Sequence, residues 1–128
     1  MGNGTSIGRV RGLGPAHHGA HHWLVQRFTA IGNVVLMSWL LVSLIMLGDY
    51  GYGNVVKWLS QPLSATAMIL LVFSLFWHAR LGLQVLIEDY IHDAGSKFAA
   101  ISALNLATIG GGAFGIFSVA ALAFGGQA

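Results

Sequence analysis

The sequence predicts an all-α integral membrane protein with three transmembrane helices, and three observations carry that reading. Only 8% of the residues are charged while 55% are hydrophobic, and the mean hydropathy is +0.72. A soluble domain carries about 25% charged residues, and a soluble chain of 128 residues could not hide so much apolar surface. Three apolar runs each reach the roughly 20 residues that a helix needs to cross a ~30 Å hydrocarbon core. None of the runs alternates like a strand, and backbone groups in lipid must bond within their own element, which leaves helices. The net charge of +2 comes from few groups and argues for no nucleic-acid partner. The absence of cysteine excludes disulfides, thiolate metal sites and cysteine-ligated iron–sulfur clusters.

Residues 1–26, "MGNGTSIGRVRGLGPAHHGAHHWLVQ", read as a polar arm rich in glycine and histidine. The arm lacks the apolar stretch of a signal peptide, and its glycine density suits an amphipathic transit helix poorly, so it is expected to be retained and bacterial. The first span, about 28–47, is uncharged; Arg27 precedes it and Gly48, Asp49 and Tyr50 follow it. Residues 49–57 are expected to be a loop. The second span, about 63–87, lies between Lys57–Trp58 and Glu88–Asp89. The third, about 98–124, is again uncharged, with a short tail at 125–128. Arg9, Arg11 and Arg27 outweigh the single Lys57 of the first loop. By the positive-inside rule the amino terminus is then cytoplasmic and the carboxyl terminus periplasmic, in the inner membrane. Tyr50, Tyr52, Trp58 and Tyr90 fall at the expected boundaries, as an aromatic belt would.

The second span, "FSLFWHARLGLQVLIEDYIHD" over 73–93, holds the unusual chemistry. The eleven residues from His78 to Asp89 cover about 16 Å at 1.5 Å per residue, which puts His78 near mid-membrane if Asp89 marks the inner boundary. Eleven residues also make nearly three turns, so the two share a helix face, with Gly82 and Val85 between them. A mid-membrane imidazole has three readings: a hydrogen bond to a neighbouring helix, a proton relay, or haem iron ligation. Spacing does not choose among them, although a small residue one turn away leaves room for a flat ring. The third span contains neither histidine nor methionine, and the first offers Met37 and Met46. A bis-histidine haem would therefore take its second ligand from another chain. Glu88, Asp89 and Tyr90 end the helix, where the macrodipole is negative. Such a carboxyl suits proton passage, and the Tyr90 hydroxyl can donate to a carbonyl oxygen; the plainer reading is an interfacial helix end. His17, His18 and His22 read as solvated arm residues. In the third span Gly111 and Gly115 stand four apart, a small-xxx-small surface for close helix contact, and Asp93 or Ser96 is placed to cap its start.

"HARLGLQVLIEDYIHD" resembles the second-helix signature of the small hydrophobic membrane-anchor subunit of succinate dehydrogenase, respiratory complex II. The pattern His-Ala-x-x-Gly-x-x-x-x-x-x-Asp-Tyr is filled by His78, Ala79, Gly82, Asp89 and Tyr90. "GAHHWLVQRFTA" resembles the family's entry to the first helix through Gly19, His21, Arg27, Thr29 and Ala30. The resemblance implies that His78 is an axial ligand of haem b, shared with a histidine of a sister cytochrome b anchor subunit in one helical bundle. It implies that Tyr90 and Asp89 form part of a ubiquinone site and that His21 and Arg27 lie near the haem propionates. Flavoprotein and iron–sulfur subunits would complete the complex, linking the tricarboxylic acid cycle to the respiratory chain. Arg80 and Glu88 fall outside the pattern; Arg80 lies too deep for a casual surface charge and is expected to reach a propionate or a partner acid.

The function expected is a non-dehydrogenase subunit of succinate:quinone oxidoreductase, not catalytic in isolation. Fumarate reductase anchors are related to it, and a haem-free structural anchor is the alternative in which His78 only hydrogen-bonds. A diheme transmembrane cytochrome would need paired histidines on several helices, whereas this chain has one at mid-depth.

Overall fold

The computed structural model describes residues 16–125. Four helices follow one another: α1 (Ala16–Leu47), α2 (Tyr52–Leu59), α3 (Pro62–Tyr90) and α4 (Ala94–Gly125). Three of them are long and apolar enough to cross a membrane, over Gly19–Leu47, Pro62–Tyr90 and Ala94–Gly125. The chain is a multi-pass membrane protein.

Residues 1–15 of the expected polar arm and 126–128 of the expected tail lie outside the described residues. Residues 16–26, also assigned to the arm by composition, form the first turns of α1. Extension of a helix that already exists gains a hydrogen bond for each residue fixed, so the apolar run carries the helix back through these residues. At 32 residues α1 is about 48 Å long, well over the ~30 Å hydrocarbon core.

The connection after α1 begins at Gly48, whose φ of +70° ends the helix in the left-handed conformation that glycine adopts without strain. Asp49 then accepts the Gly51 N–H at 2.9 Å and a bond from the Asn54 amide, while the Tyr50 hydroxyl donates to the Leu44 carbonyl at 2.9 Å. The helix α2 stands where a plain loop is expected. Eight residues containing Gly53 would not hold a helix alone. Packing does so instead: Leu59 is buried, and Trp58 stacks on Trp39 of α1 with ring centroids 5.8 Å apart. Pro62 at the first turn, preceded by an extended Gln61, then starts α3.

α3 is the central helix. It packs on α1 on one side and on α4 on the other, and α1 and α4 do not touch among the described residues. The α3–α4 contact is close because glycines line it. A Cβ at Gly111 would stand 2.7 Å from Phe76 Cε1, and one at Gly115 would stand 2.9 Å from Val72 Cγ1. The glycine pair marked by spacing is thus the seat for two α3 side chains. Only residues 91–93 join α3 to α4. Asp93 caps α4: its Oδ2 accepts the Ser96 N–H at 2.8 Å.

Two outcomes follow from this packing. Gly115→Ala should lower the stability of the α3–α4 pair by about 1–3 kcal/mol through overpacking. Gly110→Ala, with open space around it, should cost none of this in a detergent thermal melt. The second concerns Asp93. The Ser96 backbone hydrogen bond, then the Ser96 hydroxyl and the Gly95 N–H, hold its carboxyl below the ordinary value of 3.8. A lowered value means the cap contributes fully above that ordinary value and is lost as pH falls through the lowered one. The hydrogen-exchange protection factor at the Ser96 amide should drop over that window, and Asp93→Asn should abolish the pH dependence.

Candidate functional site

The α1–α3 seam is polar. Ser74, His78 and Gly82, four residues apart on α3, meet Gln26, Thr29 and Gly32 of α1. The half-buried His78 presents Nδ1 to the Thr29 oxygen at 3.1 Å. Thr29 is buried, and its hydroxyl lies 2.9 Å from the Val25 carbonyl and 3.1 Å from that of Gln26. A hydroxyl has one hydrogen. With that hydrogen given to the helix backbone, the Thr29 oxygen is left to accept, and Nδ1 of His78 is the nitrogen that donates. In the neutral ring this assignment leaves the lone pair on Nε2, the form in which imidazole binds a metal.

The rest of the seam supports the pair. The Ser74 hydroxyl donates to the Thr29 carbonyl at 3.4 Å, and a Cβ at Gly32 would meet that hydroxyl at 3.7 Å. The space beside Gly82 is met by Gln26, whose Nε2 would stand 3.6 Å from an added Cβ. Gly82 therefore admits a side chain of α1 on this side. Gln26 Oε1 and Asn33 Oδ1 are buried without a hydrogen-bond partner among the described residues, at a cost of about 1–3 kcal/mol each. The motif assigns Thr29 no role and does not include Gln26 or Asn33. The available signal was their spacing: 26, 29 and 33 fall on one helix face at the head of an apolar run.

The remaining candidates are not drawn into this seam. Asp89 and Tyr90 are exposed at the end of α3, with Tyr90 77% accessible, and neither side chain is hydrogen-bonded among the described residues. By helix rise Asp89 stands about 16 Å along α3 from His78, on the same face. Glu88 is bonded to Gln84 Nε2 at 2.9 Å. His21 and Arg27 are exposed on α1. The Arg27 guanidinium lies 4.9 Å from the Trp23 ring centroid, and by helical count Arg27 points away from the Thr29 face. His22, read as solvated, is half-buried in α1; the side chains of His17 and His18 lie outside the described residues. Arg80 turns to α4, where its Nε donates to Asn105 Oδ1 at 2.6 Å.

No group of three or more histidine, aspartate or glutamate side chains that could hold a metal ion occurs among the described residues. One side chain suffices for one axial position on a haem iron, and His78 offers the right nitrogen.

The chain matches the model of the succinate dehydrogenase/fumarate reductase transmembrane subunit family over residues 1–112. It is similar to the succinate dehydrogenase hydrophobic membrane anchor subunit of Rickettsia bellii (strain RML369-C), 36% identical over 105 residues, which is 82% of this chain and 84% of that protein. It is 30% identical to the succinate dehydrogenase membrane anchor subunit of Reclinomonas americana over 94 residues, 71% of this chain and 78% of that protein. A succinate dehydrogenase hydrophobic membrane anchor subunit of Coxiella burnetii (strain RSA 493 / Nine Mile phase I) is 23% identical over 95 residues, 74% and 83% of the two chains. No solved structure matches. With three apolar helices and these relatives, the chain belongs to the succinate dehydrogenase/fumarate reductase transmembrane subunit family.

Proposed function

We propose that this membrane anchor supplies His78 as one axial ligand of a haem b, with a sister anchor subunit supplying the other, and that Tyr90 and Asp89 belong to a ubiquinone reduction site. The observation that supports it most is the Thr29–His78 bond. It fixes the ring and directs Nε2, as an oriented histidine ligand requires. Haem b would supply a one-electron store beside the quinone.

The chain's own residues then have separate tasks. Thr29 holds the imidazole. The Tyr90 hydroxyl donates a hydrogen bond to a quinone carbonyl oxygen, and Asp89 hands protons to the reduced ring. Reduction of the quinone to quinol takes two electrons and two protons. The electrons come from succinate through the flavoprotein and iron–sulfur subunits, and the protons enter at the exposed end of α3. Arginines at 9, 11 and 27 favour a cytoplasmic amino terminus in a bacterial inner membrane. That orientation puts Asp89 and Tyr90 at the cytoplasmic face, within reach of soluble subunits. His21 and Arg27 are assigned to the propionate side on the motif, and their exposure leaves them free to meet a partner or cofactor.

A second reading is a haem-free anchor. The same Thr29–His78 bond favours it to this extent, that a hydrogen bond between helices is useful with no iron present. The family description also spans fumarate reductase, so the reverse flux is an alternative for the same site.

His78→Ala should abolish the b-type absorbance of the purified complex, and His22→Ala should retain it. Thr29→Val keeps the ring but removes its acceptor, and should weaken haem retention by about 10–100-fold. Haem content unchanged in the His78 variant would sink the ligand assignment. Tyr90→Phe should reduce quinone reductase activity while succinate oxidation by a soluble artificial acceptor persists; equal loss in both assays would count against a quinone role. Asp89→Asn should slow quinone reduction more than it impairs assembly.

A further inference from the structure

We propose that the groove between α3 and α4 around Arg80 is the docking site for a transmembrane helix of another subunit, and that this helix carries a carboxylate that pairs with the Arg80 guanidinium. The groove has a volume of about 430 Å³ and an almost wholly apolar lining, including Phe73 and Trp77 of α3 and Thr108, Gly112 and Ile116 of α4. Arg80 is its charged group.

Depth selects the occupant. Arg80 lies ten residues before the end of α3 and eighteen after its start, about 15 Å and 27 Å along the axis. Its guanidinium folds back over Trp77, 5.6 Å from the ring centroid, towards the middle of the helix. Of its five N–H donors, the one on Nε goes to Asn105. The four on the Nη atoms have no partner among the described residues, and they form the end-on fork that a carboxylate accepts. A cation left so at this depth is strongly disfavoured, and such groups pair within the protein. Acyl chains offer no acceptor, and phosphate headgroups lie outside the ~30 Å hydrocarbon core. A helix-borne acid at the same level satisfies the fork.

This chain does not supply that acid. Its four acids are Asp49, Glu88, Asp89 and Asp93, all at helix ends, so a second copy would present none at this level. The proposed haem lies on a different side of α3 from Arg80. His78 meets α1 and Arg80 meets α4, and two residues along a helix turn through about 200°. Of the two expectations for Arg80, a propionate or a partner acid, its turn towards α4 favours the acid. Thr108 and Gly112, one turn apart, let a third helix come close.

The inference rests on assembly of the anchor with another membrane-spanning chain and not on the haem assignment. The test places a photo-crosslinking residue at Ile109, which is exposed and lines the groove, in the full complex in native membranes. The adduct is expected on a spanning segment of another subunit, within about one turn of an Asp or Glu. Arg80→Met should cut its yield by at least about tenfold, and Arg80→Lys should keep most of it. Adducts on phospholipid alone, on a second copy of this chain, or undiminished in Arg80→Met would overturn the proposal. If Arg80→Met fails to assemble, Arg80→Glu is combined with the mapped acid changed to Arg. Restored assembly supports the pair, and no restoration overturns it. Reading the adduct in the His78→Ala complex as well keeps a failed haem assignment from counting as failure here.

Discussion

Inside a bilayer no water is available to a polar side chain, so one on a spanning helix turns to its own backbone or to a neighbouring helix, or is left unpaired at a cost. That constraint organises α3. On one face His78 bonds Thr29 of α1, and Thr29 in turn is tied to its own backbone. On the opposite face Arg80 bonds Asn105 of α4. Apolar contact with lipid or with leucine is nearly equivalent in energy, so it positions helices weakly. The two polar contacts give the central helix a definite rotation between its neighbours. The Phe76–Gly111 and Val72–Gly115 contacts then set how close α4 comes.

The same organisation leaves the chain with little apolar surface buried within the described residues. Its buried apolar residues are few: Leu59, Leu71, Leu81, Val119 and Ala123. Large side chains such as Phe28, Met46 and Phe98 face outward, where lipid and other subunits meet them. The proposed haem and quinone residues share this character. His78 is held from one side, and Asp89 and Tyr90 stand at an open helix end. In the proposed function each would be half of a site that another chain completes.

The spans were legible because hydropathy over 20 residues is a strong signal, and it needs no tertiary knowledge. The α3 motif was legible from residue types alone, since histidine and arginine deep in an apolar run require a reason. What escaped was whatever depends on a neighbour. α2 exists because Trp58 finds Trp39 and Leu59 finds a buried place; its eight residues carry no such information. Thr29 reads as an ordinary helix residue until α3 puts His78 opposite it. The direction of Arg80 was equally hidden, for composition gives its depth but Asn105 gives its side. Gly82 is a further case: the spacing leaves room for a ring beside it, and only the structure shows that Gln26 of α1 lies along one side.

The three-residue link between α3 and α4 has a mechanical consequence. Residues 91–93 give four Cα–Cα steps between the two helix ends, about 13–14 Å when extended, and packed helix axes stand about 8–10 Å apart. A link this short covers that gap with only a few ångströms to spare and so limits how far one helix can slide past the other. The link and the Phe76–Gly111 and Val72–Gly115 contacts together tie the two into a hairpin. A tug on α4 from any neighbour would be felt at once at Tyr90, whereas α1, tethered through the longer stretch that includes α2, is free of that leash.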